Sequence, residues 1–358
     1  MANPGRRMSS TATRTRRLVL AAVCVYAAGP WLGAVAAAPQ RLPTWNVLFP
    51  AGRSLRLAAP AGLAIDRRGS GTNKWMYLAD TGNNRIVKLG TGGRFLRGWG
   101  SRGAAPGQFQ QPPALAVDLR GDVYVVDTGN DRVQYFDSAG RLLGTWGGKG
   151  AGPGQFDTPA GIAVGGSGNV FVADRNNHRI EKFSPSGRLL AVWSVAIPSG
   201  PAFARFGSAG PYALAIDARG NVYAAVHTGL CSGGHCVMDY ILLDTFNPSG
   251  RLLRSLVGGN PYGGYSYGPI PALAGQGPWW QIGALATDPS GHLFLAEWTP
   301  QNQSSVVELS AGARVLGQWE LPQPSGGYGW PGLGLALDPR GNIYVADSLG
   351  RRVLKLHR

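Results

Sequence analysis

The chain repeats itself, and the repeat restricts it to one class of fold. Six copies of one unit align. The clearest are "PPALAVDLRGDVYVVDTGNDRVQYFDSAGRLLGTWG" from Pro112 and "PAGIAVGGSGNVFVADRNNHRIEKFSPSGRLLAVW" from Pro159. The first copy opens at Pro60, the fourth at Pro211 ("PYALAIDARGNVYAAV"), the fifth at Ile282 ("IGALATDPSGHLFLAE") and the sixth at Pro331 ("PGLGLALDPRGNIYVADSLGRRVLKL"). One aspartate marks the register, at Asp66, Asp118, Asp217, Asp288 and Asp338, with Gly165 in its place in the third copy. Each unit divides into four short β-prone runs separated by Gly-, Asp- and Ser-rich turns. Four strands in roughly 50 residues make a propeller blade and exclude a helical solenoid.

Composition agrees. The chain has 358 residues with 55 glycines and 26 prolines, yet 44% of it is hydrophobic, which suits many short strands joined by tight turns. The fold class expected is all-β: a six-bladed β-propeller with four-stranded antiparallel blades. The sixth unit stops at "VLKLHR" and lacks a fourth strand. The segment "PTWNVLFPAG" is expected to supply it, residues 44–49 closing the ring with Trp45 in the place of Trp99, Trp146 and Trp193.

The openings "PAG", the run "GNxYVADxxNxRI" and the link "GxxPGQF", seen at Gly103–Phe109 and Gly150–Phe156, resemble the NHL repeat. The resemblance spans residues 41 to 358 and is weakest in the second halves of units four and five. It implies a six-bladed propeller whose second-to-third-strand turns and blade-to-blade links share one face. Six-bladed relatives include metal-dependent lactonases and an amidating lyase with ligands around the channel mouth. Here the innermost strands start with Pro, Ala, Gly, Tyr, Ile and Leu, which offer no carboxylate or imidazole for a metal or for acid–base chemistry. No cofactor, no metal and no catalytic residue is therefore expected. The alternative kept open is a metal-dependent enzyme of the lyase or lactonase type.

Asp80, Asp127, Asp174 and Asp347 each precede an arginine by five residues, at Arg85, Arg132, Arg179 and Arg352. A single active site does not need the same pair four times, so these are expected to be turn-stabilising pairs. Function is expected where the repeat breaks. In the fourth unit Val226 replaces the aspartate and "HTGLCSGGHCVM" follows; in the fifth Glu297 replaces it and "WTPQNQSS" follows. With the long links these insertions bring His227, Tyr262, Tyr265, Tyr267, Trp279, Trp280, Trp298, Tyr328 and Trp330 to one rim over blades four to six. Aromatics on glycine-rich loops suit a peptide, protein or glycan ligand. Cys231 and Cys236 are expected to form a disulfide across a small loop, since adjacent His235 and Cys236 fit one tetrahedral zinc poorly.

Residues 1–38 read as an export signal or N-terminal membrane anchor: "TRTRR" precedes the apolar run Leu18–Ala38, with small-residue cleavage sites at Ala36 and Ala38. Residues 39–58 are then linker and closing strand, and 59–358 the propeller. The expected location is secreted or extracytoplasmic, with membrane contact only through an uncleaved N-terminus. The net charge is +15; residues 1–38 hold five arginines and no acid, and the 29 basic and 19 acidic residues beyond them leave +10. Arginine is scattered over every unit rather than gathered on one face, which argues against nucleic acid as partner. A monomer is expected.

Overall fold

A computed structural model describes residues 44–49, 55–68, 74–195, 210–232, 235–257, 281–298, 304–322 and 333–358. Twenty-four strands form six four-stranded antiparallel sheets. Blade 1 is β2 (Pro60–Ile65), β3 (Trp75–Asp80), β4 (Arg85–Gly90) and β5 (Phe95–Trp99). Blade 2 is β6 (Leu115–Val117), β7 (Val123–Asp127), β8 (Arg132–Phe136) and β9 (Leu142–Gly147). Blade 3 is β10 (Pro159–Val164), β11 (Val170–Asp174), β12 (Arg179–Phe183) and β13 (Leu189–Ser194). Blade 4 is β14 (Gly210–Ile216), β15 (Val222–Ser232), β16 (His235–Phe246) and β17 (Leu252–Val257). Blade 5 is β18 (Gln281–Thr287), β19 (Leu293–Trp298), β20 (Ser304–Leu309) and β21 (Val315–Glu320). Blade 6 joins β22 (Leu333–Leu337), β23 (Ile343–Asp347) and β24 (Arg352–Leu356) to β1 (Trp45–Phe49), in the order β1-β24-β23-β22.

The pattern of burial follows from stacking blades face to face. Second strands have a neighbouring blade on both sides, so β7, β11 and β23 are buried at every position. Fourth strands lie at the perimeter, and β9 and β21 alternate half-buried and exposed. The buried apolar residues form six clusters, each drawn from two adjacent blades. The links add to them: Phe109 and Phe156 of the two "PGQF" segments are fully buried. Each lies against a glycine in the left-handed region. A Cβ on Gly100 (φ 96°) would stand 2.5 Å from the Phe109 ring, and one on Gly147 (φ 99°) 2.6 Å from Phe156.

The N-terminal strand closes the ring as expected, but in a different register. Trp45 pairs with Leu356 and Phe49 with Val353, with a bulge between Val47 and Phe49. Val353 corresponds to Ile86, whose partner is Trp99. Phe49, not Trp45, therefore occupies the position of Trp99. Trp45 sits at the strand's other end, where its Nε1 donates to Glu320 O of blade 5 at 2.7 Å. A second tie repeats around the ring: Thr81, Thr128 and Ser348 hydroxyls donate to Pro112, Pro159 and Pro60 carbonyls at 2.6–2.7 Å, the last joining blade 6 to blade 1.

Antiparallel alternation puts the second-to-third-strand turns on the face that carries the links. The first-to-second and third-to-fourth turns lie on the opposite face.

Candidate functional site

The repeated Asp–Arg pair is fully used by the fold. In blade 2, Asp127 Oδ2 accepts from Arg132 Nε and Asn130 Nδ2, both at 2.8 Å, while Oδ1 accepts from the Gln110 amide at 2.7 Å. Asp80 does the same with Arg85, Asn83 and the Ala58 amide, and Asp174 with Arg179, Asn177 and the Asp157 amide. Asp347 holds Arg352 Nε at 2.7 Å and the Gly350 amide. Each carboxylate thus latches its turn and, in blades 1 to 3, the preceding link, with both of its oxygens engaged. The turn crosses the left-handed region at Asn84, Asp131, His178 and Arg351 (φ 48–52°), so His178 is a turn residue.

Blades 4 and 5 lose the latch. Val226 pairs with Leu242, both apolar. Glu297 pairs with Ser305, where blades 1, 2, 3 and 6 have arginine. Ser305 Oγ donates to Glu297 Oε1 at 2.5 Å and Gln318 Nε2 reaches the same oxygen at 3.4 Å. Glu297 is only 1% exposed, and among the described residues no cation stands beside it. Loss of solvent pushes its carboxyl up to about 7, against the hydrogen bond from Ser305. A second acid without a nearby described cation is Asp244 on β16, also 1% exposed and pushed up to about 6 by burial. Its counterparts are Gln134, which accepts from the Gly107 amide at 2.8 Å, and Glu181, which accepts from the Gly154 amide and sits 3.1 Å from Arg179. Glu297 and Asp244, the two acids pushed up furthest without a described cation nearby, thus belong to the two blades whose repeat is broken.

The insertion in blade 4 is an extension of the sheet. Strands β15 and β16 run for 11 and 12 residues and stay paired as far as Ser232 and His235, so they form a hairpin that stands out on the face of the links. Cys231 lies directly opposite Cys236 in that pairing. At its base His227 is half-buried, edge-on to Tyr212 at 6.0 Å between ring centres. Trp298 ends β19, paired with Gln281 and Ser304. Tyr262, Tyr265, Tyr267, Trp279, Trp280, Tyr328 and Trp330 lie outside the described residues, as do the side chains of Trp298, Cys231 and Cys236 and residues 1–38, where an export signal or membrane anchor is expected.

The side chains that line the central channel are mostly apolar. The channel has a volume of about 190 Å³ and is lined by the first strands of all six blades, with Leu, Ile, Val and Ala dominating. Arg67 and Asp118 are the only ionisable groups among its described lining. Arg67 reaches across the channel mouth to Thr287 O at 3.5 Å. Elsewhere, Asp288, His292 and Glu308 bring ligating atoms within 4.8 Å of one another. That cluster is an ion network between blades: His292 Nδ1 lies 2.8 Å from Glu308, and Arg358 donates to both Glu308 oxygens at 2.7 and 2.8 Å. His292 replaces the asparagine that caps the same turn at Asn221 and Asn342.

An NHL repeat model matches residues 156–183. No curated protein matches the sequence. Among solved structures, a virginiamycin B lyase from Staphylococcus aureus is similar at TM-score 0.52 and 12% identity, over 88% of this chain and 99% of that one. A gluconolactonase from Xanthomonas campestris is similar at TM-score 0.55 and 14% identity, over 88% and 90%. The WD40 repeats of RRP9 are similar at TM-score 0.55 and 12% identity, over 88% and 98%. At such identities the likeness establishes the propeller fold and no activity.

Proposed function

Because the chain is a six-bladed β-propeller carrying the NHL repeat, we propose that it works as an extracytoplasmic binding or scaffolding module. Its ligand is a protein, peptide or glycan, held on the face of the links over blades 4 to 6. The observation that carries this is the local dismantling of the latch. Two adjacent blades give up a buried ion pair that four others keep, and one of them raises a long hairpin on the same face. The strand ends that the links between blades 4, 5 and 6 join lie on that face, which supports the expectation that their aromatics serve it. The direct opposition of Cys231 and Cys236 supports a disulfide stapling the hairpin tip, as an exported chain allows. Thiol titration of the folded protein without residues 1–38, which hold the third cysteine, Cys24, should then find none.

The test is retention of partners from envelope extract, or on a glycan array, by three proteins: wild type, Trp279→Ala with Trp280→Ala, and a variant with residues 229–238 replaced by a short turn. Loss of the same ligand in both variants is expected, with unchanged melting. Equal recovery of every ligand by all three would refute the proposal.

A second reading, a metal-dependent enzyme of the lyase or lactonase type, is favoured by one observation. Glu297 is a buried carboxyl poised near neutral pH, as a general acid or base must be. A stoichiometric divalent ion in the purified, unchelated protein would favour that reading over the first.

A further inference from the structure

Most seams between blades are filled in the same way. A tryptophan of the fourth strand lies under the third-to-fourth-strand turn of the next blade. A Cβ on Gly140 would fall 2.8 Å from Trp99, one on Gly187 2.7 Å from Trp146, and one on Gly250 2.3 Å from Trp193. A long third-strand side chain covers the second-strand ring. Lys88 Nζ stands 5.3 Å over Tyr77 and donates to Ser138 O, Tyr135 stacks on Tyr124 at 5.5 Å, and Lys182 Nζ stands 5.5 Å over Phe171. Between blades 5 and 6, Arg358 covers both Phe294 and Trp319.

The seam between blades 4 and 5 lacks both fillers. Thr245, the partner of Tyr223, stands where Lys88, Tyr135 and Lys182 stand. Leu256, the partner of Leu243, stands where Trp99, Trp146, Trp193 and Trp319 stand. What is left is a pocket of about 210 Å³, open on the face away from the links. Leu243, Leu293 and Leu309 form a buried apolar floor, Tyr223 a wall, and Arg219 and Arg254 the charged rim. The one acid in the described lining, Asp217, is already committed. Its Oδ1 accepts from the amides of Arg219 and Asn221, and its Oδ2 accepts from Asn221 Nδ2 at 2.8 Å and Tyr223 OH at 3.3 Å. The charge available to a visitor is that of the two guanidiniums.

We propose that this seam is a binding pocket for a small aromatic anion. The ring of the ligand takes the volume that tryptophan fills at the other seams, against Tyr223 and the leucine floor. Its carboxylate or sulfonate meets Arg254 and Arg219. An unfilled apolar pocket forfeits dispersion contacts along its walls, which a planar guest restores. Guanidinium donors at the rim select the anion.

Calorimetric titration of the full chain with indoleacetate, and with tryptamine as the matched cation, tests this. Indoleacetate is expected to bind at one site, about tenfold more weakly after Arg254→Ala, and not at all after Leu256→Trp. The last variant should also melt higher, because it fills the pocket as other seams are filled. If it does not fold, Thr245→Lys covers Tyr223 and should abolish binding equally. The proposal is overturned if indoleacetate gives no saturable binding, if Leu256→Trp or Thr245→Lys binds it unchanged, or if tryptamine binds as tightly. None of these outcomes depends on the ligand proposed for the opposite face.

Discussion

At the scale of single residues, the molecule separates charges that hold the fold from charges placed at a cost. Asp127 is buried and made tolerable by Arg132. Arg132→Met would leave that carboxylate uncompensated, at a cost of about 3 kcal/mol, read as a fall in Tm of about 6–10 °C. Glu297 is the opposite case. It holds its proton more tightly folded than unfolded, so between its ordinary 4.5 and about 7 the folded state carries more protons. Stability therefore falls as pH rises through that window, by about 3 kcal/mol at most, and is flat above it. Glu297→Gln should lessen this fall in melts across the same window and leave only the part below about pH 6 that Asp244 contributes; an unchanged slope would show that the carboxyl is not buried as described. The Asp–Arg latch was legible in the sequence because its five-residue spacing is that of two strand ends facing each other across a tight turn. That no arginine follows Glu297 at that spacing was legible in "WTPQNQSS", whereas Ser305 in the arginine's place emerges only from the strand pairing. Asp244 was not legible, because an acid within "YILLDTF" looks like an outward-facing strand position until a neighbouring blade covers it.

At the scale of elements, strand existence was readable and strand register was not. The N-terminal segment was identifiable as the missing strand by subtraction, since blade 6 had three. Matching it by residue type set Trp45 on Trp99. The bulge between Val47 and Phe49 and the direction of β24 decide otherwise, because backbone pairing outranks side-chain similarity. Deleting residues 44–49 should expose the edge of β24 and lower Tm by about 10 °C or more; an unchanged melt would mean that the strand does not close the ring. The insertion in blade 4 was visible as extra length, whereas its continuation as paired strands depends on β15 and β16 holding each other beyond the rest of the blade. Leu256 was in plain sight in "RLLRSLV" beside "RLLGTWG". It escaped because the fourth strand of blade 4 was hard to align, and a missing side chain leaves no motif.

At the scale of the whole molecule, the structure is six nearly equivalent seams, and its candidate functions sit where equivalence fails. The face of the links carries the broken latches and the hairpin; the opposite face carries the unfilled pocket. Both departures fall on blades 4 and 5, which leaves blades 1 to 3 as a regular frame with intact latches and filled seams. Substitutions in blades 1 to 3 should therefore act on melting first, and those in blades 4 and 5 on binding first. The closing pair also has a consequence in time. Trp45 and Leu356 are partners separated by roughly 300 residues, so a ribosome adding about 5–20 residues each second makes the first strand tens of seconds before its partner exists. Throughout that interval one end of the ring waits with an unpaired backbone, and whatever shields it in the cell must let go only after the last blade arrives.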